Sequence, residues 1–314
     1  MSKAAFDARL AALDALKTSE SGPEREKALE KALGDRNNYF VAKAARVAGE
    51  VGARALIPQL LAAFDRFMTN AAKSDPQCWA KIAIVKALSA LGHDDAEVYA
   101  RGLRHVQMEA VWGGQQDMAG TLRAACTAAL VDCRSVTDLD VLEHVTEALV
   151  DPDKSVRTEA ARAIGRIDRR EAGLLLRLRA LTGDSEPEPL GAVYAALLAI
   201  EGKRGIPFIG RFLDAGGDAA AQEAALALAA THEPAALELL LATWQRTADA
   251  AMRTTLAAAV ALTRLPEAIE FLIAQAEGGS RAAAEALKAV PLNDAQRARL
   301  GNNGQGANVT EPRA

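Results

Sequence analysis

The chain has 314 residues, 50% hydrophobic, 25% charged and only 4% aromatic. That apolar content excludes a disordered chain, which could not offset the entropy of ordering, and about 70 alanines favour closely packed helices over a sheet-covered core. A net charge of −4 and a pI near 5.7 give no global positive field to recruit nucleic acid or an anionic membrane.

In chain order, Met1 to Asp7 show no apolar core of signal-peptide type. Residues 4–16 and 23–33 read as two helices, the second with a polar outer face from Glu24 to Lys31. Over 40–51 an Ala44-Ala45 pair is followed by Gly49 and Val51, and Asp75-Pro76 opens a similar stretch with Lys81, Ile84-Val85 and Ala87-Leu88. The clearest copy is 151–167, with apolar residues at 156, 160, 163, 164 and 167 on one helical face. There Asp151 is the expected cap and Pro152 the expected first helical residue. Equivalent positions recur at 44, 84, 126, 160, 193, 224, 256 and 283, spaced 27 to 42 residues apart. A second apolar-striped helix is expected after each copy, over 54–69, 96–110, 139–150, 172–181, 205–213, 235–246 and 267–276; Leu174, Leu175, Leu178 and Leu181 illustrate the stripe. A recurring period holding a helix pair is the mark of an α-solenoid. No 18-residue apolar stretch is free of charge. Three cysteines, Cys78, Cys126 and Cys133, are too few and too odd in number for a disulfide framework, so a reducing, cytoplasmic setting is expected.

Asp153, Val156-Arg157, Ala160-Ala161, Ala163-Ile164-Gly165 and Ile167 resemble the HEAT-repeat family, as do Asn37, Ala44-Ala45, Gly49 and Val51. The resemblance covers roughly residues 35–290. It implies an all-α fold: a right-handed α-solenoid, or superhelix, of about eight HEAT-like helix pairs whose second helices line the concave face. Capping helices then occupy 1–34, repeats 35–300 and a disordered tail 301–314. The shorter C-terminal spacings resemble the compact bacterial form. No activity follows, because such repeats serve many functions.

The candidate sites are surfaces. Residues 154–179 carry eight positive and three negative side chains, and Lys203, Arg204 and Arg211 follow. If Arg170, Arg177, Lys203, Arg204 and Arg211 share a face, they can grip carboxylates or a phosphate backbone; the plainer reading is pairing with aspartates of neighbouring repeats. Residues 214–294 have the opposite bias, eleven acidic against five basic. Trp112, beside the Gly113-Gly114 break, is either an interface anchor or a lid over the repeat junction. Trp79 is expected in the core, and Trp244, next to Gln245-Arg246, on the binding surface. Among HEAT-repeat enzymes, the deoxyhypusine hydroxylases bind di-iron with repeated His-Glu pairs; this chain has one, His232-Glu233, and no HExxH or CxxC spacing. Alkylpurine DNA glycosylases and phycobilin lyases also share such repeats, but no basic aromatic groove or tetrapyrrole pocket is marked here. Neither metal nor cofactor is expected.

These observations predict a protein–protein interaction scaffold without a catalytic constellation, hence not an enzyme. Its partner-binding surface is expected to use Arg101, Arg104, Trp112, Arg170, Arg177, Lys203, Arg204, Arg211 and Trp244. The alternatives are nucleic-acid binding through the arginine-rich middle and lyase-like modification of a partner protein.

Overall fold

Alanines spaced three and four apart let helix axes approach closely, and the alanine-rich copies do form stacked helices. The structure, a computed structural model, describes residues 2–214 and 219–302. Among these are nineteen α-helices and one two-stranded hairpin, divided between two compact units, Met1–Ile167 and Asp168–Ala314.

The first unit contains α1 (Lys3–Ala15), α2 (Pro23–Leu33), α3 (Asn38–Glu50), α4 (Ile57–Met68), the single turn α5 (Ala71–Ser74), α6 (Trp79–Ala90) and α7 (Ala96–Leu103). Strands β1 (Met108–Val111) and β2 (Gly114–Asp117) follow, then α8 (Gly120–Leu130), α9 (Asp138–Thr146) and α10 (Lys154–Ile164). Helices α3, α6, α8 and α10 pack on one another in that order, with α4, α7 and α9 against α6, α8 and α10, and α1 and α2 against α3. The second unit contains α11 (Arg170–Thr182), α12 (Pro187–Glu201), α13 (Ile206–Gly210), α14 (Ala219–Ala229), α15 (Pro234–Arg246), α16 (Ala250–Thr263), α17 (Pro266–Glu277), α18 (Arg281–Leu287) and α19 (Asp294–Asn302). There α12, α14, α16 and α18 stack in sequence.

The repeat register is visible in burial. Ala44, Ile84, Cys126 and Ala160 are each fully buried in the first unit, as are Val193, Ala224, Leu256 and Ala283 in the second. Small residues set the spacing: a Cβ on Gly49 would stand 3.2 Å from Ala87 Cα, so glycine fixes how closely α3 approaches α6.

A ladder of charges ties the first unit together. Asp75 and Lys81, Asp117 and Arg123, and Asp151 and Arg157 each place an acid six residues before a base. Asp75 and Lys81 are fully buried, Oδ2 and Nζ 3.2 Å apart. Lys81 also donates to the Phe67 carbonyl (3.2 Å) and to Gln107 Oε1 (2.9 Å). Arg123 joins adjacent repeats: Nη1 reaches Asp117 Oδ2 at 2.6 Å, while Nε and Nη2 hold both oxygens of Asp151 at 2.7 and 2.9 Å. Arg157 Nη1 donates to the carbonyls of Asp151 (2.8 Å) and Pro152 (3.0 Å).

Three expectations are corrected here. The helix expected over 96–110 stops at Leu103, and the hairpin follows. Val106, Met108, Ala110 and Trp112 stand two apart, with Val111 on the other face of β1, and Gly113 takes φ 88° in the two-residue turn, a backbone glycine adopts without strain. Asp151 does not cap α10: Asp153 does, accepting from the Ser155 amide at 2.8 Å, because Asp151 faces Arg123. Trp79 is 43% exposed and edge-on to Tyr39 at 5.6 Å, since Ala80, Ala83 and Ile84 take the inward positions. The tail expected to be disordered falls on 303–314, outside the described residues, apart from Gly301 and Asn302, which end α19.

Removing one member of a buried ion pair leaves the other uncompensated. Arg123→Ala is therefore expected to lower stability by about 3–5 kcal/mol in urea unfolding. Arg123→Lys should restore only part, because an ammonium cannot span two carboxylates and the His105 carbonyl at once. Burial pushes the Asp117 carboxyl up, but the Gln107 and Ala119 amides and the Arg123 guanidinium outweigh it and hold it below its ordinary value. Its contribution is present above about pH 4 and lost as pH falls through the depressed value; Arg123→Ala should flatten that acid limb.

Candidate functional site

Helix α11 carries leucines on more than one side, and the side that faces in combines Leu176 with three small residues. Ala172, Gly173, Leu176 and Ala180 are buried against the second unit. The larger Leu174, Leu178 and Leu181 are left outward, 57%, 61% and 57% exposed. They sit at i, i+4 and i+7, one above the other along a single face. The stripe read from sequence is thus real, but most of it points to solvent.

Beside this ridge lies a cleft of about 510 Å³, lined by Arg170, Gly173, Leu174, Arg177, Ile200 and Arg204 among others. The structure therefore brings together three of the five cations expected to share a face. Arg177 is already engaged: its Nε meets Glu201 Oε1 at 2.7 Å, its Nη2 meets Oε2, and its guanidinium lies 4.3 Å from the Phe208 ring centre. The Glu201 carboxylate raises its pKa further above the ordinary arginine value. Arg170 and Arg204 are exposed and have no hydrogen-bond or ion-pair partner among the described residues. Lys203 does not line the cleft and pairs with Glu233 at 2.9 Å. Arg211, also outside it, stacks 5.6 Å from the Phe208 ring centre.

Trp244 is corrected outright. It is buried, edge-on to Phe271 at 5.8 Å and covered by Arg253 at 5.6 Å. It follows Leu237 and Leu240 on the inward face of α15, a three-and-four spacing that was visible in the sequence.

In the first unit, Arg101 pairs with Asp65 at 2.9 Å, and Arg104 contacts His144 Nδ1 at 3.3 Å. Trp112 is fully exposed at the hairpin tip, so it is no lid. The hairpin base is held firmly: the Gln107 amide donates to Asp117 Oδ1 at 2.9 Å, and Glu109 Oε1 accepts from the Gln77 amide at 2.7 Å. A cleft of about 660 Å³ at that base is lined by Leu103, Arg104, Val106, Met108 and Val150 among others.

His232 is a structural residue, its Nδ1 3.0 Å from the Thr263 carbonyl oxygen. Among the described residues, no group of three or more His, Cys, Asp or Glu side chains is placed to hold a metal ion. No described helix is long and apolar enough to cross a membrane.

No protein-family model matches the chain, and no curated protein matches it in sequence. Among solved structures it is similar to human deoxyhypusine hydroxylase in complex with glycerol, at 18% identity over 82% of this chain and 90% of that one, with a TM-score of 0.32. It is also similar to the complex of CpcE and CpcF of phycocyanin lyase from Nostoc sp. PCC7120, at 20% identity over 91% and 96%, with a TM-score of 0.36. Both are HEAT-like helical-repeat proteins. One is a hydroxylase and the other a lyase, and the expectation that this chain is not an enzyme is withdrawn on that finding.

The two kinds of leucine on α11 should separate cleanly in thermal and urea melts. Leu176→Ala is expected to cost about 2–5 kcal/mol, whereas Leu178→Ala should stay within about 0.5 kcal/mol of the parent.

Proposed function

We propose that the chain is a cytoplasmic scaffold or adaptor that docks a partner protein on the outward face of α11. The observation that supports this is the ridge of Leu174, Leu178 and Leu181, each more than half exposed and bordered by Arg170 and Arg204. Contiguous exposed apolar surface on a helix costs solubility and is characteristic of interaction sites. The face belongs to a packed helix, so binding there loses little conformational entropy. Arg101, Arg104 and the Trp112 hairpin are proposed as contact points of the first unit.

Nucleic-acid binding through the arginine-rich middle has less support. Arg162, Arg166 and Arg177 already pair with Glu159, Asp132 and Glu201, and a phosphate backbone laid over α11 would meet leucines.

The test is affinity capture with the full chain at two salt concentrations. Leu174→Ser/Leu178→Ser/Leu181→Ser is expected to lower recovery of the partner at least tenfold, with the parent's recovery maintained at moderate salt. Equal recovery by parent and triple variant would sink the reading. Recovery of nucleic acid that disappears as salt rises would replace it with the electrostatic alternative. A change in the mass of the captured partner on incubation would instead support lyase-like modification.

A further inference from the structure

We infer that the occupant of the α11 face is an amphipathic helix with acidic residues along one flank of its apolar stripe. This rests on the docking reading above and names the chemistry of the partner. Three observations carry it.

The first is geometric. The ridge from Leu174 to Leu181 covers two helical turns, roughly 10 Å along the axis. Side chains at i, i+4 and i+7 form the kind of ridge that seats in the groove of another helix.

The second is the hydrogen bonding of the surface. Residues 170–182 are α-helical, so the middle of α11 directs its backbone donors and acceptors along its own axis. An extended peptide laid on it would bury amides with nothing to pair them. A helical occupant satisfies its own backbone and needs only to supply side chains.

The third is charge. Arg170 stands one turn before Leu174 on the same face, and Arg204 lies across the cleft. Both lack a partner among the described residues, while Arg177 beside them is neutralised by Glu201. The acids nearby are Asp168, which lines the cleft, Glu171 on the opposite flank of α11, and Glu201. Arg169, Arg170, Arg177 and Arg204 outnumber the cleft acids Asp168 and Glu201, four against two. The N-terminus of α11, at Arg170, adds the positive end of its dipole. Glutamates or aspartates flanking the incoming apolar stripe on that side would gain charge-assisted hydrogen bonds from both arginines.

The experiment uses fluorescence anisotropy with three labelled 18-residue probes and the full chain. One probe has leucines at helical spacing with glutamates along one flank of the stripe. The second replaces each glutamate by lysine. The third scrambles the first so that no helical stripe remains. The acidic amphipathic probe is expected to bind and to weaken at least tenfold with Leu178→Ser and with Arg170→Glu/Arg204→Glu. The lysine probe is expected to bind the Arg170→Glu/Arg204→Glu variant better than the parent, a gain that a misfolded variant could not show. Equal binding of the scrambled probe, or tighter binding of the lysine probe by the parent, overturns the inference. So does displacement of the acidic probe by a single-stranded oligonucleotide with no sensitivity to Leu178→Ser. If no probe binds while partner capture still depends on the leucines, the acidic helix is wrong and the docking reading stands. If capture is also indifferent to them, both fall.

Discussion

Burying a carboxylate inside a helical array costs several kcal/mol unless a cation and hydrogen-bond donors surround it. The first unit meets that requirement at three successive repeats, those of α6, α8 and α10, each with an aspartate at the start of a first helix and a base six residues on; at Asp151 that base, Arg157, takes the backbone carbonyl and leaves the carboxylate to Arg123. Arg123 carries the device across a repeat boundary by holding Asp117 and Asp151 together. Gln107 carries it into the hairpin, accepting from Lys81 and donating to the Asp75 carbonyl at 2.9 Å. The stacking order of α6, α8 and α10 and the placement of the hairpin therefore depend on one connected set of charges. The apolar layers supply the driving force, and the charges select the register.

The second unit places its contrast elsewhere. With Gly173 and Ala172 facing inward, α11 packs against α12 through its small residues, and its bulkier leucines remain outside. The acidic bias of its C-terminal half is mostly consumed internally: Asp214 pairs with Arg246, Glu270 and Glu277 pair with Arg299, and Asp249 caps α16. What remains for recognition is the arginine-bordered ridge at the other end of the unit.

Much of the architecture was legible because helical periodicity is strong in long alanine-rich segments. Positions 44, 84, 126, 160, 193, 224, 256 and 283 aligned correctly because each lies at the point where two first helices touch. The hairpin hides behind a helix for a physical reason: Gly102 packs inside α7 against Cys126 instead of ending it, and no glycine or proline separates α7 from 106–112. The first aspartate of the Asp151-Pro152-Asp153 run resembles a cap by composition, and only the presence of Arg123 in the preceding repeat shows which of the two aspartates is occupied elsewhere. The candidate site was half legible. The density of its arginines marks the surface, whereas the neighbouring Gln245-Arg246 suggests an outward Trp244 that its spacing from Leu237 and Leu240 turns inward. The leucines of α11 illustrate the remaining limit. When leucines stand on more than one side of a helix, composition cannot say which of them a neighbour covers; here Leu176 is covered together with Ala172, Gly173 and Ala180, whose small size lets α12 come close.

The hairpin separates two kinds of evolutionary constraint. Its fastenings to the packed helices come from Gln107, Glu109 and Asp117, whereas Cβ atoms added at Gly113 and Gly114 would meet nothing. Changes at 110–115 can therefore accumulate without disturbing the stack, while changes at the base cannot. A lineage could exchange the tip residues, Trp112 included, as a recognition cassette and inherit the same scaffold unchanged.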